Sequence, residues 1–173
     1  MNYKNKKFYK NILFIFFISI ILMIIVLGFH IDGFASSDTN SLPYSLFLKI
    51  KNNKNINKGE IVTFYMPKIV IRKMQEYYFP VYWYKPFDQF TKIVGCSSGN
   101  VLNTIKNSDF CNGKKIATVL EGIKFKKWHN YKIPKNKFFA LGTNKDSLDS
   151  RYFGLVKYSA IRNELIPLLP YNF

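Results

Sequence analysis

Histidine and cysteine are scarce in this chain, which has two of each among its 173 residues. His30 and His129 are far apart in the sequence, and neither lies next to a cysteine. Two cysteines without a metal-ligand pattern are too few for a structural zinc site. The sequence therefore predicts no metal site, no cofactor and no catalytic site built on histidine.

Acidic residues and arginines are also few. Ten Asp and Glu stand against 26 Lys and Arg, giving a formal net charge of +16, yet only Arg72, Arg151 and Arg162 are arginines. Lysine is abundant together with Asn, Ile, Phe and Tyr, which is typical of AT-rich coding as much as of phosphate contacts. We therefore predict no nucleic-acid partner. The Lys/Asn-rich residues 49–58 are predicted to be a solvated loop, and attraction of the basic body to anionic lipid remains an alternative use of the charge.

The N-terminus has lysines without acidic residues and is followed by one long apolar run. Ile12 to Phe29 contains no charged residue, and as a helix it covers roughly 27 Å, about the thickness of a bilayer core. Lysines before such a span hold the N-terminus in the cytoplasm. The sequence predicts a cytoplasmic segment at 1–11, a transmembrane anchor at 12–30 and one periplasmic domain at 31–173.

A cleaved signal peptide is the alternative to a retained anchor. Gly33-Phe34-Ala35 offers small residues at a suitable spacing for cleavage. The apolar core of a signal peptide usually has only about 7–15 residues, so the length of this run favours an anchor.

Beyond residue 31 the sequence has the character of a mainly β domain. Glu60–Tyr65 follows the turn Lys58-Gly59, and a β-branched, aromatic run after a glycine is typical of a strand. Similar runs predict further strands at Thr91–Gly95, Lys115–Leu120, Lys137–Leu141 and Phe153–Lys157.

Turns and helices are marked less clearly. Asn112-Gly113 predicts a hairpin turn, because both residues tolerate the left-handed backbone angles of a two-residue turn. Short helices are predicted at Ile69–Tyr78 and Tyr158–Leu165. The aromatic cluster at 77–87 fits packing in the core and also a surface at the membrane interface.

Cys96 and Cys111 are the two cysteines. In an oxidising compartment they could form one disulfide that closes a loop of about 15 residues and contributes about 3 kcal/mol in the chain-entropy model. Two free thiols are the alternative, and the sequence does not decide between them.

The chemistry of the chain depends on a serine and a lysine. A serine hydroxyl is a poor nucleophile at neutral pH unless a base lies beside it. Lysine can be that base where burial disfavours its ammonium form and lowers its pKa. Lys92 stands in an apolar, strand-like sequence between Phe90 and Ile93-Val94, unlike the lysines in polar runs. Composition alone ranks Lys92 only slightly above the other lysines.

Four sequence blocks occur in order along the body. They are Ser41-Leu42-Pro43, Lys58–Val62, Phe90–Asn100 and Asp146–Gly154. They resemble, in that order, the boxes Ser-Met-Pro, Gly-Asp-Ile-Val, Lys-Arg-Val-x-Gly-x-x-Gly-Asp and Asn-Ser-x-Asp-Ser-Arg-Tyr-x-Gly of the Ser/Lys signal peptidases. The short chain is similar to the TraF-type branch of that family, which serves conjugative transfer. The resemblance implies a signal-peptidase-like β catalytic domain.

The resemblance also implies catalytic roles. Ser41 is expected to attack the scissile carbonyl, and Lys92 to accept its proton and return it to the leaving amine. The backbone N–H of Ser41 and the hydroxyl of Thr39 are expected to form the oxyanion hole, in which one donor typically contributes about 100- to 1,000-fold in rate.

Three further positions are expected to support the site. Ser147 matches the serine that orients the lysine amine, and Asp149 and Arg151 match a charged pair that braces the site. The chain departs from the family pattern where Asn100 replaces an aspartate and where Gly142-Thr143-Asn144 replaces Gly-Asp-Asn. These departures leave the serine and the lysine of the dyad in place.

We therefore predict a membrane-anchored serine endopeptidase of the inner membrane that processes exported precursors, with a conjugative pilin as the expected substrate. A general signal peptidase I and a catalytically inactive assembly factor of a transfer apparatus remain as alternatives. The self-cleaving repressors use the same dyad, but the anchor and the absence of a DNA-binding domain exclude them.

Overall fold

The protein was analysed as a computed structural model. It describes residues 3–37, 41–51, 56–66, 70–71, 89–123 and 125–171. The chain divides into two compact units, Met1–Asp32 and Gly33–Phe173, and each is described by itself.

The first unit consists mainly of the helix α1 (Tyr3–His30). Tyr9–Gly28 has a mean hydropathy of 2.9, and its 20 residues are long and apolar enough to cross a membrane. The side chains of this segment are unburied within the chain, as expected for a helix that contacts lipid. The predicted apolar helix is confirmed. A signal sequence would have the same length and composition.

The second unit contains a seven-stranded sheet. Its strands, in sheet order, are β1 (Ile31–Ser36), β2 (Tyr44–Lys51), β11 (Ile161–Pro170), β3 (Ile61–Tyr65), β4 (Gln89–Cys96), β9 (Lys137–Leu141) and β10 (Val156–Lys157). The central strands β3, β4 and β9 pair antiparallel. Most of their β-branched and aromatic residues are buried, whereas Tyr65 is exposed and Thr91 and Ile93 are half-buried. The mainly β fold class is therefore confirmed.

A smaller sheet of four strands packs beside the first one. Its order is β7 (Lys114–Thr118), β6 (Ser108–Cys111), β5 (Val101–Ile105) and β8 (Tyr131–Lys132). The predicted turn between β6 and β7 is confirmed, because Asn112 and Gly113 have φ angles of 49° and 76°. β7 lies at the edge of this sheet.

One apolar core lies on one face of the large sheet and another lies between the two sheets. The first contains Phe64, Phe90 and Phe138. The second contains Trp128 and Phe139 together with both cysteines. Burial of such side chains contributes about 1.5–3 kcal/mol each, and it fixes the strands that position the site.

A disulfide connects the two sheets. Cys96, the last residue of β4, is bonded to Cys111, the last residue of β6, and their Cα atoms are 5.9 Å apart. The sequence left the state of this pair open, because the proximity of the two thiols depends on how the sheets pack.

The prediction of a strand at Phe153–Lys157 is wrong over most of its length. Phe153, the first residue of the predicted strand, is the last residue of a short helix, α2 (Ser150–Phe153). Gly154 has a φ of 85°, a left-handed conformation that interrupts an extended strand. Only Val156 and Lys157 pair, as β10.

The predicted helix at Tyr158–Leu165 is also wrong. Tyr158–Ala160 forms one 3-10 turn, and β11 begins at Ile161. Ile161 and Leu165 have a spacing that fits a helix, but Asn163 between them is also buried and its N–H donates to Thr63 Oγ1. Burial of alternate residues is the pattern of a strand.

Three other predictions have mixed outcomes. The solvated loop predicted at 49–58 is wrong at its first end, because β2 extends to Lys51. At its second end Ile56 is buried, whereas Asn57 and Lys58 are exposed and lie outside the strands, as predicted. Residues 52–55 lie outside the described residues. Most of the predicted helix at Ile69–Tyr78 and the whole aromatic cluster at 77–87 lie outside the described residues.

Candidate active site

Lys92 lies in the middle of β4, on the face that it shares with Phe90 and Val94. Successive side chains of a strand point to opposite faces, so this register directs the lysine toward a buried face. Its cross-strand partner on β3 is Val62, which is fully buried. Only 3% of Lys92 is exposed.

Ser41 lies in the turn that leads into β2. The next residue, Leu42, is 1% exposed and packs in a cluster with Phe47 and Leu165, which anchors the turn. On the other side, the N–H of Thr143 donates to the carbonyl of Ser41 at 2.8 Å. The backbone of Ser41 is thus held between a core side chain and the chain segment that follows β9.

Three polar side chains meet at this point. Lys92 Nζ lies 2.9 Å from Ser41 Oγ and 2.6 Å from Ser147 Oγ. The Ser147 hydroxyl lies 3.3 Å from Ser41 Oγ and donates toward it. All three distances are hydrogen-bond distances, so a proton on any of these atoms can move to a neighbouring one.

The environment favours the neutral amine of Lys92. Burial removes water from the ammonium and lowers the pKa of Lys92 from 10.5 to about 8; the charge of Arg151 also lowers this pKa, while the charge of Asp149 opposes the shift. Desolvation is the largest cause, as expected for a lysine inside a sheet. In mildly alkaline solution the Lys92 amine is therefore neutral in a substantial fraction of the molecules, and there it can accept a proton.

Gly142 makes room for this cluster of side chains. Its amide donates to Asp149 Oδ2 at 2.9 Å. A Cβ at this position would overlap the Ser147 side chain and would lie 3.0 Å from the carbonyl oxygen of Ser41. The backbone here approaches both serines so closely that only glycine fits.

Gly142→Ala is therefore expected to reduce catalysis about 100-fold, since displacing reacting groups by about 1 Å has an effect of this size. The steady-state rate on a precursor peptide measures the loss. Gly28→Ala is the matched control, because no atom lies within 4 Å of a Cβ added there. An unchanged rate in Gly142→Ala would contradict the crowding at this position.

Asp149 and Arg151 form a buried ion pair beneath the serine and lysine side chains. The distance from Arg151 Nη2 to Asp149 Oδ2 is 2.6 Å, and the exposed fractions of the two side chains are 3% and 0%. Arg151 Nε and the Arg151 backbone N–H both donate to Asp149 Oδ1, which makes the aspartate the N-cap of α2. Burial acts to lower the pKa of Arg151, but the hydrogen bond and the charge of Asp149 raise it above its ordinary value.

The remaining donors of Arg151 bind backbone carbonyls. Nη1 donates to the carbonyls of Thr118 and Lys145, and Nη2 donates to those of Asn144 and Ser147. A guanidinium with five N–H donors in one plane suits such a set of acceptors. The ion pair thus fixes the segment that contains Ser147, while it stays one layer away from the Lys92 amine.

The structure brings together five of the six predicted site residues. Ser41, Lys92 and Ser147 are in mutual contact, and Asp149 and Arg151 lie beneath them. Thr39, the predicted oxyanion donor, lies outside the described residues.

Three residues in or near the site were missed in the sequence. The stretch Gly142-Thr143 was noted only as a departure from the family pattern, although a glycine directly after a buried strand is a signal of close backbone approach. Asp109 was also missed. It is fully buried on β6 with its Oδ1 bound by the Thr104 hydroxyl, and burial raises the pKa of its carboxyl.

Within the described ranges, no group of three or more His, Cys, Asp or Glu side chains is placed to hold a metal ion. The chemistry that such a cluster can support is acyl transfer, because a serine hydroxyl lies in contact with an amine of lowered pKa and with a second hydroxyl.

Comparison with known proteins gives one family. The sequence matches the family described as signal peptidase, peptidase S26, over residues 6–168. Among solved structures, the crystal structure of a signal peptidase I from Enterococcus faecalis V583 matches with 17% identity and a TM-score of 0.40, covering 64% of this chain and 96% of that one. No curated protein sequence gives a significant match.

Proposed function

Because this chain belongs to the peptidase S26 family of signal peptidases, we propose that it is a membrane-anchored serine endopeptidase with Ser41 as nucleophile and Lys92 as general base. One observation carries the proposal: Lys92 is 3% exposed, and its amine lies 2.9 Å from Ser41 Oγ. A base must lie within about 2.6–3.2 Å of the proton donor that it activates. Burial supplies the lowered pKa that a lysine base needs.

The proposed reaction has two steps. The neutral Lys92 amine accepts the hydroxyl proton of Ser41 as its oxygen attacks the scissile carbonyl, and the lysine then protonates the leaving amine, which leaves an acyl-serine. In the second step Lys92 removes a proton from water as the water oxygen attacks the ester. Lys92 then returns that proton to Ser41 Oγ as the acyl group leaves, which restores the free serine and the neutral amine. Ser147 keeps the amine directed at Ser41 throughout, since Lys92 Nζ donates to its hydroxyl.

The negative oxygen of the tetrahedral intermediate needs donors close to Ser41. We assign this role to the backbone N–H of Ser41 and to Thr39, as the family resemblance implies. Asp149 and Arg151 act at a distance in this scheme: they position the Ser147 segment and the Gly142 amide.

Exported precursor proteins are the substrates that this family processes. The apolar helix and the family together favour membrane anchoring, and we place the protein in a bacterial inner membrane with the catalytic domain in the periplasm. We propose a pilin or another component of a conjugative transfer system as the cognate substrate, as the resemblance to the TraF-type branch implies. A general signal peptidase I and an inactive assembly factor are the alternatives; the close contact of Ser41 and Lys92 supports catalysis over the inactive factor.

The substrate assignment is tested by mass spectrometry of exported proteins from cells with the wild-type gene and cells with Ser41→Ala. Loss of processing confined to the pilin is the expected result. Accumulation of many precursors would instead favour a general signal peptidase. A pilin one water lighter than the trimmed chain would show that its own N-terminal amine, held in attack geometry, resolves the acyl-serine in place of water.

Activity is expected to rise with pH through a midpoint of about 8, because the free base is the deprotonated amine and burial lowers the pKa of Lys92 to that value. Below the midpoint the rate should fall about tenfold per pH unit. The pH dependence of kcat/KM on a peptide whose own groups do not titrate near pH 8 measures it.

Asp149→Asn tests the direction in which the charge of Asp149 shifts the pKa of Lys92. The charge of Asp149 raises the pKa of Lys92, so the neutral amide should move the midpoint to lower pH. A wild-type rate that climbs only near pH 10 would contradict a desolvated base.

A further inference from the structure

A groove of about 320 Å³ lies beside the serine and lysine side chains. One wall is β7, from Lys115 to Thr118, and the other is the segment that follows β9, with Gly142, Thr143 and Lys145. The Arg151 guanidinium closes it, because Nη1 donates to the carbonyl of Thr118 on one wall and to that of Lys145 on the other. The groove is therefore a built feature with both walls tied by one side chain.

The groove reaches the nucleophile. Thr143, which lines it, donates its backbone N–H and its hydroxyl to the carbonyl of Ser41. Gly142, its neighbour in the same wall, lies against the Ser147 side chain. An extended polypeptide advances about 3.3 Å per residue, so a chain with its scissile bond at Ser41 has residues within reach of this groove.

The wall formed by β7 suits an extended chain. β7 is the edge strand of the four-stranded sheet, and an edge strand has backbone N–H and C=O groups that an added strand can pair with. The carbonyl of Thr118 is bound to Arg151, so pairing is confined to the residues that precede it. The pairing of β7 with β6 shifts register at Ile116, between Lys115 and Ala117.

The rim of the groove is cationic. The side chains of Lys115 and Lys145 are exposed, and all of its other lining residues except the buried Arg151 are uncharged. The described part of the chain gives neither lysine an ion-pair partner. Since Arg151 is already paired with Asp149, the two lysines are the charges that a bound chain meets.

We propose that this groove binds the substrate polypeptide next to its scissile bond as a strand against β7, and that Lys115 and Lys145 select an acidic side chain in that segment. This inference rests on the proposed peptidase function. It adds a specificity site outside the Ser41–Lys92–Ser147 cluster, and it assigns the occupant as a peptide with a carboxylate rather than an apolar one.

The test measures binding, so that it does not depend on catalysis. The full chain with Ser41→Ala, in detergent, is titrated with fluorescent peptides that span an Ala-x-Ala sequence and that have Glu or Gln at one position, scanned on both sides of the cut. At one position Glu should bind about three- to tenfold more tightly than Gln, the range of a partly exposed charge pair, and the difference should shrink at high salt.

Charge reversal gives the decisive comparison. Lys115→Glu with Lys145→Glu should abolish the preference for Glu and favour a Lys peptide at the same position. Lys114→Glu is the matched control, because this lysine is exposed on the same strand but does not line the groove; it should retain the preference for Glu. Equal binding of Glu and Gln peptides at every position, or a preference that survives the double reversal, would overturn the proposal. Failure of the wild-type protein to cleave any of the peptides would count against the peptidase assignment and leave the binding result to be judged separately.

Discussion

Ser41→Ala and Lys92→Met should each reduce precursor cleavage by about 10⁴-fold or more, because a nucleophile and its base act as one unit and the loss of either removes nearly the whole effect. The double variant should be no slower than either single one. Single-turnover kinetics on a purified precursor measure these rates. Appreciable turnover by either variant would contradict the proposed mechanism.

Although Lys92→Met should abolish cleavage, it should increase the stability of the fold at neutral pH. A lysine whose pKa is lowered on folding binds its proton more weakly in the native state than in the unfolded state. At neutral pH the protonated side chain therefore reduces the free energy of unfolding. The lost stability is recovered as the pH rises from about 8 to 10.5. A shift of this size corresponds to about 3 kcal/mol. Met has a similar length and no charge, so the variant should unfold at a higher temperature than wild type at pH 7.

The control for this result is Lys132→Met, which removes an exposed lysine on β8. It should change neither the rate nor the melting temperature appreciably, since exposed charges contribute little. If Lys92→Met melted at a lower temperature than wild type, the buried ammonium would be better stabilised than its environment indicates.

Arg151→Met should destabilise the fold by about 3–5 kcal/mol, the usual result of removing one partner of a buried ion pair. The variant leaves the Asp149 carboxylate without its main partner and leaves four backbone carbonyls without their donors. Chemical denaturation followed by circular dichroism measures the change. Activity should fall as well, because the Ser147 carbonyl is among those released.

A double variant separates the charge from the hydrogen bonds. Asp149→Asn combined with Arg151→Met should be more stable than Arg151→Met alone, since no unpaired charge remains buried. Arg162→Met is the matched control: Arg162 is exposed and stacks on Tyr65, 4.9 Å from the ring centroid, so its loss should change the free energy of unfolding by no more than about 0.5 kcal/mol. Equal stability of Arg151→Met and wild type would show that the pair is unimportant for the fold.

The sequence predicts the central strands well, for a physical reason. β3 is buried from Ile61 to Phe64, β9 from Phe138 to Leu141, and β4 on the face of Lys92; such strands are rich in β-branched and aromatic residues. Ser41, Lys92 and Ser147 were named from blocks that resemble a known family, and the structure places their side chains within hydrogen-bond distance of one another. Their catalytic roles belong to the proposed function.

The errors fall where local pattern and tertiary packing disagree. Ile161 and Leu165 are spaced as on a helix, but pairing with both β2 and β3 makes the segment a strand. The position of Gly142 after a buried strand indicates a close backbone approach, but the sequence does not tell that the Ser147 side chain is what it approaches. The disulfide remained undecided for the same reason, since its halves belong to different sheets.

That disulfide links the lysine of the candidate site to the proposed groove. Lys92 lies on the large sheet, whereas the groove wall β7 belongs to the small one, and the Cys96–Cys111 bond connects β4 with β6, the neighbour of β7. Thiols stay reduced in the cytosol and become oxidised outside it. In the periplasmic location that we propose, the two sheets are therefore joined covalently as well as by packing, and the bond limits how far the groove can move from Lys92.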